Sequence, residues 1–374
     1  MNATPFRIAV PAPQLERIAG RLAETQWPRA PADDGEGRYG IGRAWLRGVV
    51  DHWLQRYDWR AAEAALNRLP QFVARIDGLD IHFVHLRAGG PRRLPLLLTH
   101  GWPGSFHEFH RVAAPLAAAG FELVIPSLPG FAFSAAPARP IGLRAVARLW
   151  HRLMTEVLGI ERYGVHGGDM GSVVSTWLAH DHPGSVAGLH LNLFTIATAD
   201  QAPPQGEAEA AWAQQMQRAR ERELGYAALQ AARPQTVAFA LADHPLGTAA
   251  WMLEKFERWS DPACGLADRP DELVTAVMIY LASACIDTSL WMYRGTADEG
   301  SGLLPAGEPV RVPTACAAFP KEFLPHPPRS RVERSFHLTR WTEFARGGHF
   351  PALEMPEALV DDLQAFFGPL GAGD

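Results

Sequence analysis

A glycine-rich segment in the middle of the chain has the residue types with the clearest chemistry. It reads Gly167-Gly168-Asp169-Met170-Gly171, after an apolar run at 163–165 and before a helix-like run at 173–179. This order predicts a strand, a tight turn and a helix, with Asp169 at the helix N-terminus, where the helix dipole favours an ionised carboxylate. Such a carboxylate can attack a saturated carbon by displacement and form an ester. The alternative is a turn aspartate that only caps the helix.

A strand, a glycine turn and a helix are also the setting of the nucleophile elbow in α/β-hydrolases, where serine normally occupies the position of Asp169. In that fold the acid and the histidine follow the nucleophile along the chain, from the loops after the last two strands. His349 fits because it comes after two glycines and the last predicted strand, just before a final helix. Glu322 follows the strand before that and is the predicted partner acid, with Glu333 and Glu343 as competitors.

Backbone and phenol donors complete the predicted site. The loop His100-Gly101-Trp102-Pro103 follows the third strand, where this fold places half of its oxyanion hole. The backbone N–H groups of Trp102 and Met170 are therefore the predicted pair of donors. The segment expected to cover the elbow contains Tyr226 and Tyr293, whose hydroxyls could hydrogen-bond a substrate oxygen. The alternative is that each tyrosine packs its ring and exposes its hydroxyl.

An aspartate nucleophile limits the choice of substrate. Because it attacks a saturated carbon, the substrate must contain its own leaving group, either a strained epoxide oxygen or a halide. An epoxide oxygen stays attached to the product and needs an acid, which the two tyrosines could supply. A halide needs donors such as indole N–H groups near the nucleophile.

The rest of the chain predicts the elements that must position these residues. Helical spacing of apolar residues dominates the first 70 residues, without strand alternation. Strand-like runs then alternate mainly with helical segments, at 71–76, 81–86, 95–99, 122–126, 163–165 and 186–194. The pattern is helical from 195 to about 310, and strand-like runs return only at 312–317 and 335–341.

This alternation predicts an α/β-hydrolase fold, with a mostly parallel eight-stranded sheet, helices on both faces, an α-helical cap and an N-terminal helical extension. We divide the chain accordingly into four segments. They are the N-terminal extension that wraps the core (1–70), the first part of the core (71–194), the cap (195–311) and the second part of the core (312–374).

Composition narrows the class of protein. The 374 residues are 47% hydrophobic and 20% charged with a net charge of -5, which is typical of a soluble globular protein and gives no sign of a nucleic-acid surface. The N-terminus lacks the pattern of a signal peptide, and the longest apolar run, 273–285, is too short to span a bilayer. Cys264, Cys285 and Cys316 lack metal-type spacing and are expected to be buried in a reducing compartment. We therefore expect a soluble, cytoplasmic protein without a membrane anchor.

Taken together, the motifs resemble those of the epoxide hydrolases of the microsomal and juvenile-hormone type over nearly the whole chain. The matching segments are 57–60, 66–72, 76–83, 100–105, 166–172, 223–226, 243–247, 253–256, 293–294, 319–322 and 346–350. The resemblance implies that Asp169 is the nucleophile, and that His349 is the base oriented by Glu322. It also implies that Tyr226 and Tyr293 activate the oxirane, that the reactants are an epoxide and water, and that no metal or organic cofactor is needed.

Two departures from the family pattern bear on function. Met170 replaces a tryptophan that often follows the nucleophile, which removes an indole donor used by halide-releasing relatives. The sequence also shows no match to the N-terminal membrane anchor of the microsomal enzymes, in line with the expectation of a soluble protein. The alternatives are a haloalkane-type dehalogenase on the same fold and a non-catalytic protein that binds a small molecule. A homodimer is possible, and the sequence leaves open the natural epoxide, the stereochemistry and whether the role is detoxification, catabolism or biosynthesis.

Overall fold

The computed structural model describes residues 2–34, 37–90, 93–194, 197–198 and 203–371. Residues 195, 196 and 199–202, with which the predicted cap begins, lie outside this description. The strands of the described residues are, in chain order, β1 (Ala3–Phe6), β2 (Gln71–Ile76), β3 (Leu79–Leu86), β4 (Leu96–Thr99), β5 (Leu123–Pro126), β6 (Tyr163–Gly167), β7 (Val186–Leu191), β8 (Ala197–Thr198), β9 (Leu303–Leu304), β10 (Val310–Ala318) and β11 (Phe336–Glu343).

Nine of these strands form one sheet in the order β1-β2-β3-β5-β4-β6-β7-β10-β11, while β8 and β9 pair separately. Pairing is antiparallel from β1 to β5 and parallel from β5 to β11. The strand order reverses around β4, where Thr99 at the end of β4 lies beside Gly167 at the end of β6. Ligand sites of open α/β sheets lie at such a reversal, at the carboxyl ends of the strands. The predicted α/β-hydrolase fold with a mostly parallel sheet is confirmed.

The sheet has one more strand than the sequence pattern predicts. Strand β1 lies in the segment that we expected to be purely helical, and it pairs with β2 from Ala3 opposite Ala74 to Phe6 opposite Gln71. A four-residue edge strand that contains Pro5 gives no alternating pattern, and proline is tolerated there because an edge strand can leave an N–H position unpaired. The strand forms through pairing with residues about 70 positions away, which a local pattern cannot reveal.

Helices cover the sheet and form the cap. The α-helices of the described residues are, in chain order, α1 (Ala12–Ala23), α2 (Arg43–Gln55), α3 (Trp59–Leu66), α4 (His110–Ala118), α5 (Leu143–Arg152), α6 (Asp169–Asp181), α7 (Gly206–Glu223), α8 (Gly225–Ala232), α9 (Pro234–Asp243), α10 (Pro245–Trp259), α11 (Pro270–Ser283), α12 (Ile286–Glu299), α13 (Arg329–Val332), α14 (Pro351–Glu354) and α15 (Pro356–Leu370). Short 3₁₀ helices occur at Phe106–Phe109, Pro262–Cys264 and Leu266–Asp268, and a π-helical turn occurs at Leu153–Val157.

Helices α7 to α12 follow β7 and precede β10, as expected for a helical insertion. Three of them begin with proline at the first helical position, Pro234, Pro245 and Pro270. Proline suits this position because its fixed φ is helical and its missing N–H would have had no helical acceptor. Helix α12 packs on α8, α9 and α5, and the N-terminal helices α1 to α3 pack on α10 or α11. The residue boundaries of the four proposed segments remain predictions.

The centre of the sheet is fully buried. Strands β4 and β6 contain only buried residues, and nearly all of α6 is buried as well. Continuous apolar strands of this kind are typical of parallel sheets covered on both faces. The turn between β6 and α6 is therefore supported by packed core on several sides.

The three cysteines differ in burial. Cys285 and Cys316 are buried, as expected, whereas Cys264 is only partly buried, in the 3₁₀ helix that follows α10. Burial raises the pKa of the Cys285 thiol to about 12, so it stays neutral. Within the described ranges, no single helix is long and apolar enough to cross a membrane. Helices α11 and α12 meet that requirement only as a pair bent by 89°.

Candidate active site

The turn between β6 and α6 has the strained geometry of a nucleophile elbow. Asp169 has a φ of 44°, in the left-handed region that non-glycine residues rarely adopt. A Cβ atom on Gly171 would lie 1.9 Å from the Thr99 carbonyl oxygen, and one on Gly167 would lie 2.3 Å from the Gly171 backbone. The glycines around Asp169 are therefore required by the close approach of strand, turn and helix.

Two backbone N–H groups hold the Asp169 carboxylate. The Trp102 N–H donates to Asp169 Oδ1 over 2.8 Å, and the Met170 N–H also hydrogen-bonds this carboxylate. Gly101 allows the contact, because a Cβ atom there would lie 2.2 Å from Asp169 Oδ1. The structure thus brings both predicted oxyanion donors to the carboxylate. If the other oxygen, Oδ2, forms an ester, Oδ1 becomes the carbonyl oxygen and already faces its donors.

His349 lies between the two carboxylates that the sequence assigned to it. Its Nδ1 is 2.8 Å from Glu322 Oε1 and 3.0 Å from Oε2, and its Nε2 is 3.6 Å from Asp169 Oδ2. Glu322 follows β10 and His349 follows β11, and both side chains are almost fully buried. The competing acids lie elsewhere, since Glu333 pairs with Arg329 and Glu343 accepts from Trp341, both in exposed positions. Glu322 is the acid that the structure places beside His349.

Burial and mutual attraction shift the pKa values of this group. Burial lowers the pKa of His349, but Glu322, Asp169 and Glu108 outweigh it and raise that pKa to about 9. Burial raises the pKa of Asp169, opposed by the charge on His349 and by the two N–H donors. From the sequence we expected the helix N-terminus to keep the Asp169 carboxylate ionised. In the structure, desolvation by burial has the larger effect on the pKa of Asp169. The free site therefore contains a charged His349 near neutral pH.

Tyr226 in α8 and Tyr293 in α12 line the same cavity as Asp169. Their hydroxyl oxygens are 3.3 Å apart, and their rings pack on Trp102, stacked at 5.1 Å for Tyr226 and edge-on at 6.1 Å for Tyr293. Burial is the main cause that raises the pKa of each phenol well above its usual value, and the charge of Asp169 acts in the same direction. Both hydroxyls are thus protonated at neutral pH, and they are directed at each other rather than at solvent.

A cavity of about 510 Å³ begins at these residues and runs outward beneath the cap. Asp169, Tyr226 and Tyr293 line its inner end, and most of its wall is apolar. Cavities of this size and character are typical of small-molecule sites. The inner end presents a carboxylate and two phenols to whatever occupies the cavity.

Comparison with known proteins identifies the family. A family model described as "Epoxide hydrolase N terminus" matches residues 3–109, and one described as "alpha/beta hydrolase fold" matches residues 95–250. A putative epoxide hydrolase of Stigmatella aurantiaca is 38% identical, covering 99% of this chain and 86% of that protein. The chain belongs to the epoxide hydrolase family. Epoxide hydrolase 1 of Sus scrofa is 32% identical, with coverage of 98% and 88%.

Solved structures of the family agree with this membership. The Aspergillus niger epoxide hydrolase superposes with a TM-score of 0.87 at 30% identity, covering 99% of this chain and 97% of that one. The juvenile hormone epoxide hydrolase of Bombyx mori gives a TM-score of 0.85 at 29% identity, with coverage of 98% and 94%. The likeness therefore extends over both the sheet and the cap.

Two glutamates that the sequence did not single out contribute to the environment of His349. Glu108 is partly buried, and its carboxyl group packs against Gly104. A Cβ atom added to Gly104 would lie 2.6 Å from Glu108 Oε2. Burial and the charge of Asp169 raise the pKa of Glu108 to about 8, against the opposing effect of His349. Its position eight residues after His100, just after the loop that contains the Trp102 donor, was the available sequence signal.

Glu354 holds the backbone of the His349 loop. Its carboxylate accepts hydrogen bonds from the N–H groups of Gly348 and Phe350 at 3.0 and 2.9 Å, and from that of Asp261 in the cap. Burial raises its pKa to about 7, although these three donors favour the charged form. A lone glutamate in the otherwise apolar run 350–356 was the sequence signal for a buried carboxylate.

The His349 loop is also joined directly to the cap. The His349 N–H donates to the Trp259 carbonyl at the end of α10 over 2.9 Å, and the Gly347 N–H donates to Asp261 Oδ2 over 2.9 Å. The rings of Trp259 and Phe323 lie 5.1 and 4.9 Å from the imidazole. The position of His349 therefore depends on the cap as well as on the sheet.

Proposed function

We propose that this chain is an epoxide hydrolase that converts an epoxide to a vicinal diol through an ester on Asp169. The observation that supports it best is the arrangement at the inner end of the cavity, where a nucleophilic carboxylate faces two protonated phenols. A carboxylate and two acids that line one cavity suit a substrate whose leaving oxygen stays attached and needs a proton.

In the first step, Asp169 Oδ2 attacks one oxirane carbon and that carbon–oxygen bond breaks. Tyr226 and Tyr293 hydrogen-bond the oxirane oxygen, and one of them transfers its proton to it. The products of this step are a hydroxy ester and a tyrosinate. The raised pKa values of both phenols keep them protonated until the oxygen becomes basic enough to take the proton.

In the second step, His349 takes a proton from water, and the hydroxide attacks the ester carbonyl carbon. Negative charge develops on Asp169 Oδ1, which the N–H groups of Trp102 and Met170 stabilise. Collapse breaks the ester bond, and the leaving oxygen takes the proton from His349 to complete the diol. The Asp169 carboxylic acid then loses its proton, which returns the tyrosinate to the phenol through solvent.

Ester formation also prepares His349 for its role. The charge of Asp169 is one of the influences that raise the pKa of His349. Since the ester is neutral, that influence disappears when the intermediate forms, and the pKa of His349 falls. A larger fraction of the imidazole is then neutral and able to act as a base, with Glu322 fixing its orientation.

The experiment compares diol formation from styrene oxide and several bulkier epoxides by the wild type and by Asp169→Ala. We expect turnover by the wild type and its loss in the variant, with both proteins folded by circular dichroism. Equal turnover by the variant would refute the role of Asp169. Failure of the wild type on every epoxide would refute the proposed function.

A dehalogenase is the second candidate, and one observation favours it. The indole N–H of Trp102 is buried and hydrogen-bonds no group among the described residues. An indole donor beside the nucleophile could hold a departing halide, whereas Met170 cannot supply one. Halide release from chloroalkanes, without diol formation from epoxides, would favour this reading. A homodimer and a cytoplasmic location remain predictions.

A further inference from the structure

The outer part of the cavity contains a cation on an otherwise apolar wall. Trp212, Met216, Arg220 and Leu224 line the cavity at intervals of four residues along α7 and just beyond it. Residues four apart lie on one face of a helix, so these side chains form a single stripe that faces the cavity. Arg220 is the one charged member of this stripe. An apolar ligand that followed the stripe outward from Tyr226 would meet the guanidinium.

Arg220 makes no ion pair with any residue in the described part of the chain. Other arginines close by do have acidic partners, since Arg222 and Arg258 both contact Glu223 at 2.7 and 3.1 Å. Arg220 is exposed, which places it where the cavity opens to solvent. Its charge is thus directed at the cavity and is compensated by no described carboxylate.

Two more arginines stand at the same opening. Arg331 and Arg334 also line the cavity, and Arg331 covers the ring of Trp212 at 5.0 Å. Arg334 forms a two-point contact with the buried Glu209 carboxylate at 2.6 and 2.8 Å, which fixes this wall in place. Glu308 is the lining acid at this end. Arg331 and Arg334 both pair with Glu209, and Glu308 pairs with His180, so Arg220 is the cation of this wall that has no carboxylate partner among the described residues.

We infer that the substrates preferred by this chain are amphiphilic epoxides with a carboxylate at the end remote from the oxirane, and that Arg220 binds this carboxylate. This inference rests on the proposed function and specifies its substrate class. The guanidinium fork matches a carboxylate in geometry and charge, and the apolar wall suits the hydrocarbon between the two ends. Arg220 lies in the last turn of α7 and Tyr226 in the first turn of α8, and both line the cavity, so one ligand can contact the two side chains.

The test uses terminal epoxides of straight-chain carboxylic acids of increasing length, each paired with its methyl ester. We expect the wild type to prefer the acid over the ester by about tenfold in kcat/KM at the best chain length, mainly through KM. The preference should decline as salt is raised, since the guanidinium is exposed. Arg220→Gln should abolish the preference, and Arg220→Glu should invert it.

Arg218→Gln is the matched control. Arg218 is an exposed arginine on the same helix, two residues away, and it does not line the cavity. This variant removes the same charge and should retain the full preference for the acids. Equal loss in both variants, or a wild type that turns over esters and acids alike, would overturn the inference while leaving epoxide hydrolysis intact. Turnover of neither the acids, the esters nor styrene oxide would overturn both.

Discussion

The two halves of the site are held in place in different ways. The core half consists of Asp169 at the start of α6, and of His349 and Glu322 in loops that follow strands. Backbone hydrogen bonds and glycine contacts fix the turn of Asp169 and the loop of His349. The cap half consists of Tyr226 and Tyr293, which lie on helices and are fixed by ring packing on Trp102 and on each other. Backbone contacts tolerate almost no change, whereas ring contacts can be rebuilt by other side chains.

This difference indicates how the family can vary its substrates. In the proposed mechanism, ester formation and hydrolysis depend on backbone geometry that the sheet imposes. Nearly half of the residues that line the cavity belong to the cap, and these side chains can change without disturbing the elbow. We therefore expect variants of the core half to lose whole steps of the reaction, and variants of the cap half to lose rate or selectivity.

The largest effect is expected for His349→Gln. Without the base, Asp169 can still be alkylated but the ester is not hydrolysed, so turnover should fall about 1,000-fold. Intact-protein mass spectrometry after mixing with styrene oxide should find a covalent adduct, located at Asp169 by peptide mapping. Addition of Asp169→Ala to this variant should remove the adduct. If the His349→Gln variant forms no adduct, the proposed order of steps is contradicted.

The next largest effect is expected on stability, when a glycine in each half of the site is replaced by alanine. Gly171→Ala forces a Cβ atom to within 1.9 Å of the Thr99 carbonyl, so we expect a loss of about 3 kcal/mol in the free energy of unfolding. Gly225 directly precedes Tyr226 in the cap, and a Cβ atom added there would have no neighbour within 4 Å, so Gly225→Ala should change stability by less than about 1 kcal/mol. Urea denaturation measures both, and similar losses would remove the contrast between the two halves.

A moderate effect is expected for the tyrosines. Tyr226→Phe and Tyr293→Phe keep the rings that pack on Trp102 and remove only the proton donors. Each should slow epoxide opening about tenfold, and the double variant should slow it at least a hundredfold. Hydrolysis of the preformed ester should be unchanged, which single-turnover experiments with rapid quenching can resolve. A slower ester hydrolysis would place these hydroxyls in the wrong step.

The smallest effect concerns pH. Ionised Glu108 raises the pKa of His349, and Glu108 itself has a pKa of about 8. Glu108→Gln therefore lowers the pKa of His349, so the imidazole becomes neutral at lower pH and the rising limb of ester hydrolysis shifts to lower pH. Single-turnover rates between pH 6 and 10 test this, with the exposed Glu357→Gln as control. An unchanged profile would remove Glu108 from the site.

Chain order was sufficient to locate the core half from the sequence. A strand-turn-helix signal identified Asp169, and the fixed order of elements in this fold then pointed to Glu322 and His349, which the structure brings within hydrogen-bond distance of each other. The mostly parallel sheet followed from the alternation of strands and helices. These features are accessible because each depends on a local pattern or on a topological rule.

The remaining features depend on contacts between distant segments. Family resemblance pointed to Tyr226 and Tyr293, but their 3.3 Å separation results from the packing of α8 and α12. Glu108 and Glu354 resemble ordinary helix residues in the sequence, and their raised pKa values come from burial that only the folded chain creates. Strand β1 likewise exists because β2 offers it an edge.

The hydrogen bond from the His349 N–H to Trp259 bears on how molecules enter and leave. A cap that hinged away from the sheet would break this bond and displace the catalytic base with every cycle. We therefore expect epoxides to enter and diols to depart through the opening beside Arg220, while the cap stays seated throughout turnover. The width of that passage, rather than the rate of a lid movement, would then set the largest substrate that the protein accepts.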